Sequence, residues 1–307
     1  MSFTSEIKQE VSYNDLKNCC ARAELSALLQ MTSSIRISHR EFQLLIKTEN
    51  PTTARRIRVL LRQVFDINAE QRIYQKSNLR KNYVYEFLIT GDARKVLEET
   101  GIYTDKGLSS YPLYEIVKKE CCARAYIAGC FLAYGACNTP GTSNYHLEIT
   151  TVDEASAAFL LRTLKRFNII AKTMKRRGRD VVYLKKADTI SDFLRLIGAH
   201  EALMNFENNR ISRDFKNSYT RLDNCEIANE EKSIRAAHKQ LAVIEELEKD
   251  PHFKPDEKLR EVIALRKAYP EDSLSEMAAH YEATYFKRIS RSGLKHRLDR
   301  LAAMADK

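Results

Sequence analysis

Glycine and proline are scarce in this chain, with nine glycines and six prolines among 307 residues. Because both residues interrupt regular elements, their scarcity predicts long helices and strands joined by short loops. It also excludes a collagen-like or low-complexity chain. The composition is otherwise that of a globular protein, with 44% hydrophobic and 30% charged residues. The length fits two domains better than one.

A membrane segment and a signal peptide are also missing. No stretch approaches the roughly 20 consecutive apolar residues that a membrane helix needs. The first residues, Met1 to Glu6, contain neither the basic region nor the apolar core that directs secretion. The protein is therefore expected in the cytoplasm, without a membrane partner.

The cysteines lack the spacing that is typical of a zinc site. They are odd in number and the cytosol is reducing, so a disulfide framework is not expected. No two of them have the C-x-x-C spacing. We therefore predict no metal, no cofactor, and buried free thiols that pack as small apolar side chains. The seven residues are Cys19, Cys20, Cys121, Cys122, Cys130, Cys137 and Cys225.

The charge is unbalanced, with a formal net charge of +10 at pH 7. Such a surplus raises the affinity for polyanions, of which nucleic acid is the commonest. It also fits a basic protein that is merely soluble. The choice between the two therefore depends on the motifs.

Two segments of the sequence repeat at one offset. Cys19–Ala23 (CCARA) recurs as Cys121–Ala125, 102 positions later. Thr48–Ile67 aligns without gaps on Thr150–Ile169 at the same offset. One five-residue match could arise by chance, but a second match at the same offset indicates a duplicated unit.

Each unit has the same order of predicted elements, α-β-β-α-β-β-α, and the fold class is therefore α+β. The helices follow from apolar residues at helical spacing, and the strands from β-branched and aromatic runs. Each third helix stops at a glycine, Gly101 or Gly198, as a helix C-cap does. Repeat one spans about 15–101 and repeat two about 117–198. The predicted helices include 15–31, 93–100, 117–134 and 190–197, and the strands are 35–38, 41–48, 70–76, 83–89, 145–151, 171–176 and 180–184.

The segment Tyr126–Gly135 (YIAGCFLAYG) resembles the LAGLIDADG motif of homing endonucleases, whose fold has the topology just predicted. In that family the motif helices lie side by side at the centre of a pseudo-two-fold structure. Ala128 and Gly129 are small, so two helix backbones can approach closely there. Repeat one has Ser26 and Ala27 at the equivalent positions.

The acidic residues that the endonucleases need are absent. The resemblance implies that a carboxylate just before the last glycine of each motif helix would bind a divalent metal. Those positions hold Thr32 and Tyr134, and no acid lies between Leu25 and Ser34 or between Ile127 and Ala136. We therefore predict no metal-dependent cleavage of DNA and no catalytic residue.

The predicted hairpins carry basic residues. In the nucleases the two sheets form a saddle on duplex DNA, so these side chains could neutralise phosphates. Hairpin tips are also often basic without any ligand, and the saddle could instead bind a protein or a small molecule. The DNA-binding residues predicted for the saddle are Arg72, Lys76, Arg80 and Lys81 in repeat one, and Lys172, Lys175, Arg176, Arg177 and Arg179 in repeat two.

The C-terminal third reads as helical. Residues 205–249 predict a long polar helix, broken around Asn224–Asn229, and Pro251 and Pro255 follow. Three shorter helices come next, and the second begins at Ser273 with Glu276 in capping-box spacing. Their predicted apolar residues are Leu259, Val262, Ile263, Leu265, Leu274, Met277, Ala278, Tyr281, Leu294, Leu298 and Leu301.

The last helix presents a basic face that favours a helix-turn-helix motif over about 272–305. From Lys287 to Arg300 there are six Lys/Arg residues and a single acid, Asp299. A recognition helix lies in the major groove, where arginine and lysine suit guanine. The Glu282–Ile289 connection is longer than the usual turn. The predicted DNA-binding residues are Lys287, Arg288, Ser290, Arg291, Ser292, Lys295, His296 and Arg297.

A degenerate LAGLIDADG body followed by this helix-turn-helix is similar to the WhiA family. Further matches are Ser2–Lys8, Gly198–His200, Asn217–Ser218, Asn224–Asn229 and Ile289–Leu298. The resemblance implies domains at about 1–218 and 219–307. It also implies a nucleoid-associated transcription regulator of Gram-positive bacteria that binds double-stranded DNA. The family is linked to sporulation, cell division and chromosome segregation, and its partners would be a sigma factor or cell-division proteins.

Three other functions stay open at this point. The first is an active homing endonuclease, which the missing carboxylates oppose. The second is an RNA-binding, maturase-like protein, which the last helix opposes because the major groove of RNA is too deep and narrow for side-chain readout. The third is a protein-interaction scaffold whose DNA binding is incidental.

Overall fold

The computed structural model describes residues 2–38, 41–76, 83–142 and 144–305. The chain divides into two compact units, Met1–Arg213 and Asp214–Lys307. Each unit has a hydrophobic core of its own. The predicted fold class is confirmed, with a mixed α/β first unit and an all-helical second unit.

The first half of unit one contains repeat one. Its sheet has the strand order β1-β2-β4-β3, with all neighbours antiparallel. The elements are α1 (Phe3–Val11), α2 (Asn18–Thr32), β1 (Ser33–Ser38), β2 (Glu41–Thr48), α3 (Pro51–Phe65), β3 (Glu70–Gln75), β4 (Tyr83–Ile89), α4 (Ala93–Glu99), β5 (Tyr103–Thr104) and β6 (Gly107–Leu108).

The second half of unit one has a sheet of the same order, β7-β8-β10-β9. This equivalence confirms the duplicated α-β-β-α-β-β-α topology. The elements are α5 (Tyr114–Val117), α6 (Glu120–Tyr134), β7 (Gly135–Cys137), β8 (Leu147–Thr150), α7 (Glu154–Lys165), β9 (Lys172–Arg176), β10 (Arg179–Leu184) and α8 (Ala187–Leu196).

Helices α2 and α6 are the centre of unit one. They pack against each other more extensively than any other pair of helices among the described residues. Most residues of both helices are buried, as expected for helices enclosed in a core. Across this contact the buried Tyr126 hydroxyl donates to Gln30 Oε1 at 2.9 Å. The helices that the LAGLIDADG resemblance placed together therefore do lie side by side.

Two predicted glycine caps are confirmed by the backbone. Gly101 and Gly198 have φ of +71° and +76°, the left-handed region that follows a helix. The hairpin between β9 and β10 was predicted, but the type of its turn was not. Its two loop residues, Arg177 and Gly178, both have positive φ, which is typical of a type I′ turn.

Some elements of unit one were missed. Helix α1 was not predicted. Its N-cap is Ser2, whose side chain accepts a hydrogen bond from the Ser5 N–H. β7 is the partner of β8 and the equivalent of β1, but its three residues are too short to show a period-2 pattern. The small β5–β6 hairpin between the repeats was also missed.

Unit two consists of helices. The residues from Asp214 onward comprise most of α9 (His200–Leu247) together with α10 (Glu257–Ala268), α11 (Leu274–Tyr285) and α12 (Arg291–Ala305). The predicted break around Asn224–Asn229 was wrong, because α9 is continuous there. This segment contains neither glycine nor proline, and asparagine costs a helix only a fraction of what those residues cost.

The three short helices surround a small core that contains most of the predicted apolar residues. Leu259, Val262, Met277, Tyr281 and the three leucines of α12 are buried. The capping box is confirmed: Ser273 accepts from the Glu276 N–H, and Glu276 accepts from the Ser273 N–H. The connection between α11 and α12 is shorter than predicted but still longer than the usual turn, since α11 continues to Tyr285 and five residues, 286–290, lead to α12.

Candidate nucleic-acid interface

Helix α12 presents a polar face opposite its buried leucines. Ser290 starts the helix, and its hydroxyl accepts from the Gly293 N–H at 3.1 Å. Leu294, Leu298 and Leu301 are the buried stripe. The side chains on the other face are exposed, and they belong to Arg291, Ser292, Lys295 and His296.

A carboxylate of α10 fixes the position of α12. Glu261 is buried, and its carboxylate accepts from the Tyr281 hydroxyl of α11 and from Lys287 Nζ at 2.8 Å. Arg297 of α12 donates to the Tyr281 oxygen at 3.0 Å. The hydrogen bonds from Lys287 and Tyr281 lower the pKa of Glu261. One ionised carboxylate therefore connects all three helices.

The predicted basic residues divide into two groups. The first group is engaged within the protein. Lys287 binds Glu261, Arg288 binds Glu282 at 2.7 Å, and Arg297 also lies over the Tyr281 ring at 5.5 Å. Arg297 was expected on the free face of α12, and this was wrong: its side chain is 23% exposed because it packs on Tyr281.

The second group is free. Within the part of the chain that the structure describes, the side chains of Arg291 and Lys295 make no hydrogen bond or ion pair. They are one turn apart on α12, so both cations point the same way. A cation without an internal partner can give its full charge to a ligand, which is what phosphate binding requires.

The saddle residues of repeat two lie on both faces of their sheet. Val182 and Leu184 of β10 face the core, so Arg179 and its register partner Arg176 lie on the opposite, open face. Lys172 is on that open face as well, opposite Tyr183. Lys175 pairs with Asp180 and lies on the helix side, 4.0 Å from Glu154.

The remaining basic residues of repeat two are partly neutralised or lie in the turn. Arg176 donates to both oxygens of Glu148 at 3.1 Å, so its charge is shared within the sheet. Arg177 is in the turn and is exposed. The predicted saddle residues of repeat two therefore have less uniform surroundings than the basic residues of α12.

The saddle of repeat one mixes charges. Arg72 lies opposite Glu86 on the face away from the core, and Glu86 also binds Lys47 at 2.9 Å. Lys76 pairs with Glu49. The predicted Arg80 and Lys81 lie outside the described residues.

The two degenerate nuclease positions are the last residues of α2 and α6. Thr32 is buried, and its hydroxyl donates to the Leu28 carbonyl of its own helix at 2.7 Å. Tyr134 is 42% exposed and lines a cavity of about 290 Å³ together with Lys47, Tyr74 and Lys76. Glu49 also lines this cavity and pairs with Lys76, so the lining offers hydroxyl groups, ammonium groups and one carboxylate rather than the paired carboxylates of a metal-dependent nuclease.

Sequence reasoning missed one further cluster. The prediction of buried thiols holds for Cys20, Cys122, Cys130 and Cys137, but it was wrong for Cys19, Cys121 and Cys225, which are exposed. Cys19, Cys20, Cys121 and Cys122 lie together at the start of the two central helices. The repeated CCARA segment was the only signal for this in the sequence.

Three family models match the chain. A WhiA N-terminal LAGLIDADG-like domain matches residues 18–103, a WhiA LAGLIDADG-like domain matches 123–216, and a WhiA C-terminal HTH domain matches 219–305. With the fold described above, they define a class of protein in which a duplicated LAGLIDADG-like body precedes a helix-turn-helix domain. The chain belongs to the WhiA family, as its sequence motifs predicted.

Relatives support this assignment over the full length. The probable cell division protein WhiA of Bacillus licheniformis is 41% identical over 310 residues, covering 100% of this chain and 96% of that protein. The protein of the same name from Bacillus velezensis is 40% identical over 308 residues, with coverage of 100% and 96%.

A solved structure has the same fold. The full-length DUF199/WhiA crystal structure from Thermatoga maritima superposes with a TM-score of 0.60 at 20% identity, covering 100% of this chain and 98% of that one. Within the described part of the chain, no helix is both long and apolar enough to cross a bilayer.

Proposed function

We propose that the protein is a regulator that binds double-stranded DNA through α12 and does not cleave it. The observation that carries this proposal is the free, exposed cation pair Arg291 and Lys295 on a helix whose position is fixed by Glu261. The helix-turn-helix family match over residues 219–305 supports the same function.

The chemistry of this face suits duplex DNA. The N-terminal residues of a recognition helix reach base edges in the major groove, and arginine and lysine can donate to guanine O6 and N7. Ser292 and His296 add hydrogen-bonding groups on the same exposed face. Lys287 and Arg288 precede the helix and remain close enough to its start to approach the phosphate backbone, although both are ion-paired in the free protein.

The test is duplex DNA binding by the full chain and by an Arg291→Ala/Lys295→Ala variant, measured by fluorescence anisotropy over a range of salt. We expect the variant to bind at least ~10-fold more weakly, since each base contact contributes about 1–3 kcal/mol. If both cations contact phosphates instead, the log–log salt slope should fall by about 1.8.

A matched control removes the same charge elsewhere in unit two. Lys254 and Lys258 are both exposed; Lys254 precedes α10, and Lys258 is its second residue. That end of α10 lies near the C-terminal part of α12, because Arg300 binds Asp256 there at 3.0 Å. Lys254→Ala/Lys258→Ala should bind nearly as wild type. Equal losses in the two variants would mean that only net charge matters, and the assignment of α12 would be wrong.

We further propose that the LAGLIDADG-like body has lost nuclease activity. The sequence has no acid at the ends of the motif helices, where Thr32 and Tyr134 stand. The hydroxyl of Thr32 is already used within its helix. Duplex DNA incubated with the pure protein and Mg²⁺ should stay intact, whereas specific nicks that disappear with EDTA would contradict the proposal.

The cellular role follows from the relatives and is likewise a proposal. The Bacillus proteins carry the name probable cell division protein WhiA. We propose that this chain acts at the nucleoid in the control of cell division, chromosome segregation or sporulation genes, with a sigma factor or cell-division proteins as partners. Its domains are proposed to join near residue 218. Chromatin immunoprecipitation of the wild type and of Arg291→Ala/Lys295→Ala tests whether genomic occupancy depends on α12.

A further inference from the structure

Four cysteines converge at one end of the central helix pair. Cys19 and Cys20 are the second and third residues of α2, and Cys121 and Cys122 are the second and third residues of α6. All four Sγ atoms lie within 4.8 Å of one another. Within each adjacent pair the Sγ–Sγ distance is 3.9 Å. The packing of α2 against α6 therefore turns two identical CCARA segments into one compact group.

The spacing of the thiols suits one tetrahedral ion. A Zn–S bond is about 2.3 Å long, so the sulfur atoms of a tetrahedral site lie about 3.8 Å apart. The two adjacent pairs are already at this separation, and the others need to move by no more than about 1 Å to reach it. An iron–sulfur cluster would need the thiolates further apart, because several metal and sulfide atoms must fit between them.

The N-terminal ends of the two helices favour thiolates at this site. The residues before the two helices, Lys17 and Lys119, give no side-chain cap to the free N–H groups. Both cysteine pairs lie in the first turn of their helix, where the positive end of the helix dipole stabilises a thiolate.

The group is also accessible. Cys20 and Cys122 are buried, whereas Cys19 and Cys121 are exposed, so an ion can enter from solvent and complete its coordination on the inner pair. The absence of C-x-x-C spacing is no obstacle, since the second pair comes from the other repeat. Four sulfur ligands select a soft or borderline cation over Mg²⁺ or Ca²⁺.

We propose that Cys19, Cys20, Cys121 and Cys122 bind a single thiophilic divalent cation, with Zn²⁺ as the natural candidate. Each thiol that coordinates releases its proton to solvent, and no electron is transferred. The bound ion would connect the first turns of α2 and α6. It would thereby stabilise the contact between the two repeats.

The experiment uses the full chain, reduced and stripped of metal under anaerobic conditions, with Zn²⁺ and Co²⁺ as probes. We expect one ion per chain by elemental analysis. The Co²⁺ form should show the thiolate-to-metal absorption and visible bands of a tetrahedral sulfur site. Zn²⁺ should raise the melting temperature by several degrees, since it binds the four assembled thiols of the folded protein more tightly than the separated pairs of the unfolded chain.

Two variants locate the site. Cys19→Ser/Cys121→Ser changes only the exposed ligands, so the core is kept intact, and it should weaken Zn²⁺ binding by ~100-fold or more. Cys225→Ser removes an exposed cysteine of unit two and should leave binding unchanged. Circular dichroism of the metal-free forms checks that all three proteins are folded, and single Cys19→Ser or Cys121→Ser variants replace the double variant if it is not.

Two results would overturn the proposal. One is the same Zn²⁺ affinity in wild type and in the folded Cys19→Ser/Cys121→Ser variant. The other is a reduced wild type that takes up no metal, but forms a disulfide from each cysteine pair under mild oxidation, seen as a loss of two hydrogen atoms in mass. That second result would make the cluster a disulfide-forming group instead.

Discussion

The Cα of Gly129 in α6 lies directly against the carbonyl oxygen of Glu24 in α2. A Cβ at position 129 would be 2.5 Å from that oxygen and 2.8 Å from the Cβ of Ala27. Neither neighbour is the end of a flexible side chain, so the two helices would have to move apart. The small residues of the LAGLIDADG-like motif thus set the distance between the two central helices.

Gly129→Ala should destabilise unit one by about 1–3 kcal/mol, the usual cost of overpacking a core. The gain in helix propensity, about 1 kcal/mol, partly offsets this. Urea denaturation followed by circular dichroism measures the difference. Gly141→Ala is the control, because a Cβ there meets nothing within 4 Å. Equal stabilities of the two variants would show that the helices separate without cost.

The buried ion pair between Glu24 and Arg56 gives a second prediction. Arg56 Nε lies 2.6 Å from Glu24 Oε1, and Arg56 also donates to the Ser12 carbonyl at 3.1 Å. Burial raises the pKa of Glu24, although Arg56 acts against this. Arg56→Met leaves a buried carboxylate without its partner and should cost about 3–5 kcal/mol.

The control for this pair is Arg58→Met on the exposed side of α3, which should change stability by less than about 0.5 kcal/mol. A double variant, Glu24→Met/Arg56→Met, removes both charges and should regain most of the lost stability. Thermal and urea denaturation measure all three. A double variant no more stable than Arg56→Met would assign the loss to packing rather than to the unpaired charge.

The buried Lys8 should make the free energy of unfolding depend on pH. Its side chain is buried and donates to the Ala133 carbonyl at 3.5 Å, and desolvation lowers its pKa from 10.5 to about 8. Between pH 8 and pH 10.5 this lysine is protonated in the unfolded chain but neutral in the folded chain. The free energy of unfolding therefore falls as the pH drops from 10.5 to 8. Below pH 8 the loss of stability is complete, because the folded protein then holds a buried charge. A shift of this size corresponds to about 3 kcal/mol.

Lys8→Met should therefore raise the free energy of unfolding at pH 7 by up to about 3 kcal/mol. The gain should shrink as the pH rises above 8. Lys95 is an exposed lysine of α4, so Lys95→Met should neither raise the free energy of unfolding at pH 7 nor change its dependence on pH. Urea titrations between pH 7 and 10.5 measure the difference. A gain that does not vary with pH would mean that methionine simply packs better.

Glu261 links the stability of unit two to the position of α12. Hydrogen bonds from Lys287 and Tyr281 lower its pKa, so the stability it contributes is present above its ordinary pKa of 4.5 and is lost as the pH falls through the lower folded value. Glu261→Gln should lower the free energy of unfolding by about 1–3 kcal/mol at pH 7 and remove this dependence on acid pH.

Glu261→Gln should also weaken DNA binding. Glu257→Gln changes an exposed neighbour and should leave DNA binding unchanged. Unchanged DNA affinity in a folded Glu261→Gln variant would mean that the network does not orient α12.

Much of this protein could be predicted from local sequence, because caps and periodicity act over a few residues. Ser273 with Glu276, the glycines 101 and 198, and the leucine stripe of α12 lie where the sequence predicted them. The continuity of α9 through Asn224–Asn229 could not be predicted, since polar residues at helical spacing carry no boundary signal. The sequence also did not predict which of the basic residues are bound to acidic partners within the protein.

By itself the sequence determined the duplication, the helix-turn-helix and the absence of acids at Thr32 and Tyr134, because each is a matter of residue identity and spacing. Only the tertiary structure decided which cations are free. Strand alternation places Lys175 on the helix side, and packing on Tyr281 takes Arg297 from the exposed face. Only the tertiary structure brought four cysteines together, because the two pairs are 102 residues apart and meet through the packing of α2 on α6.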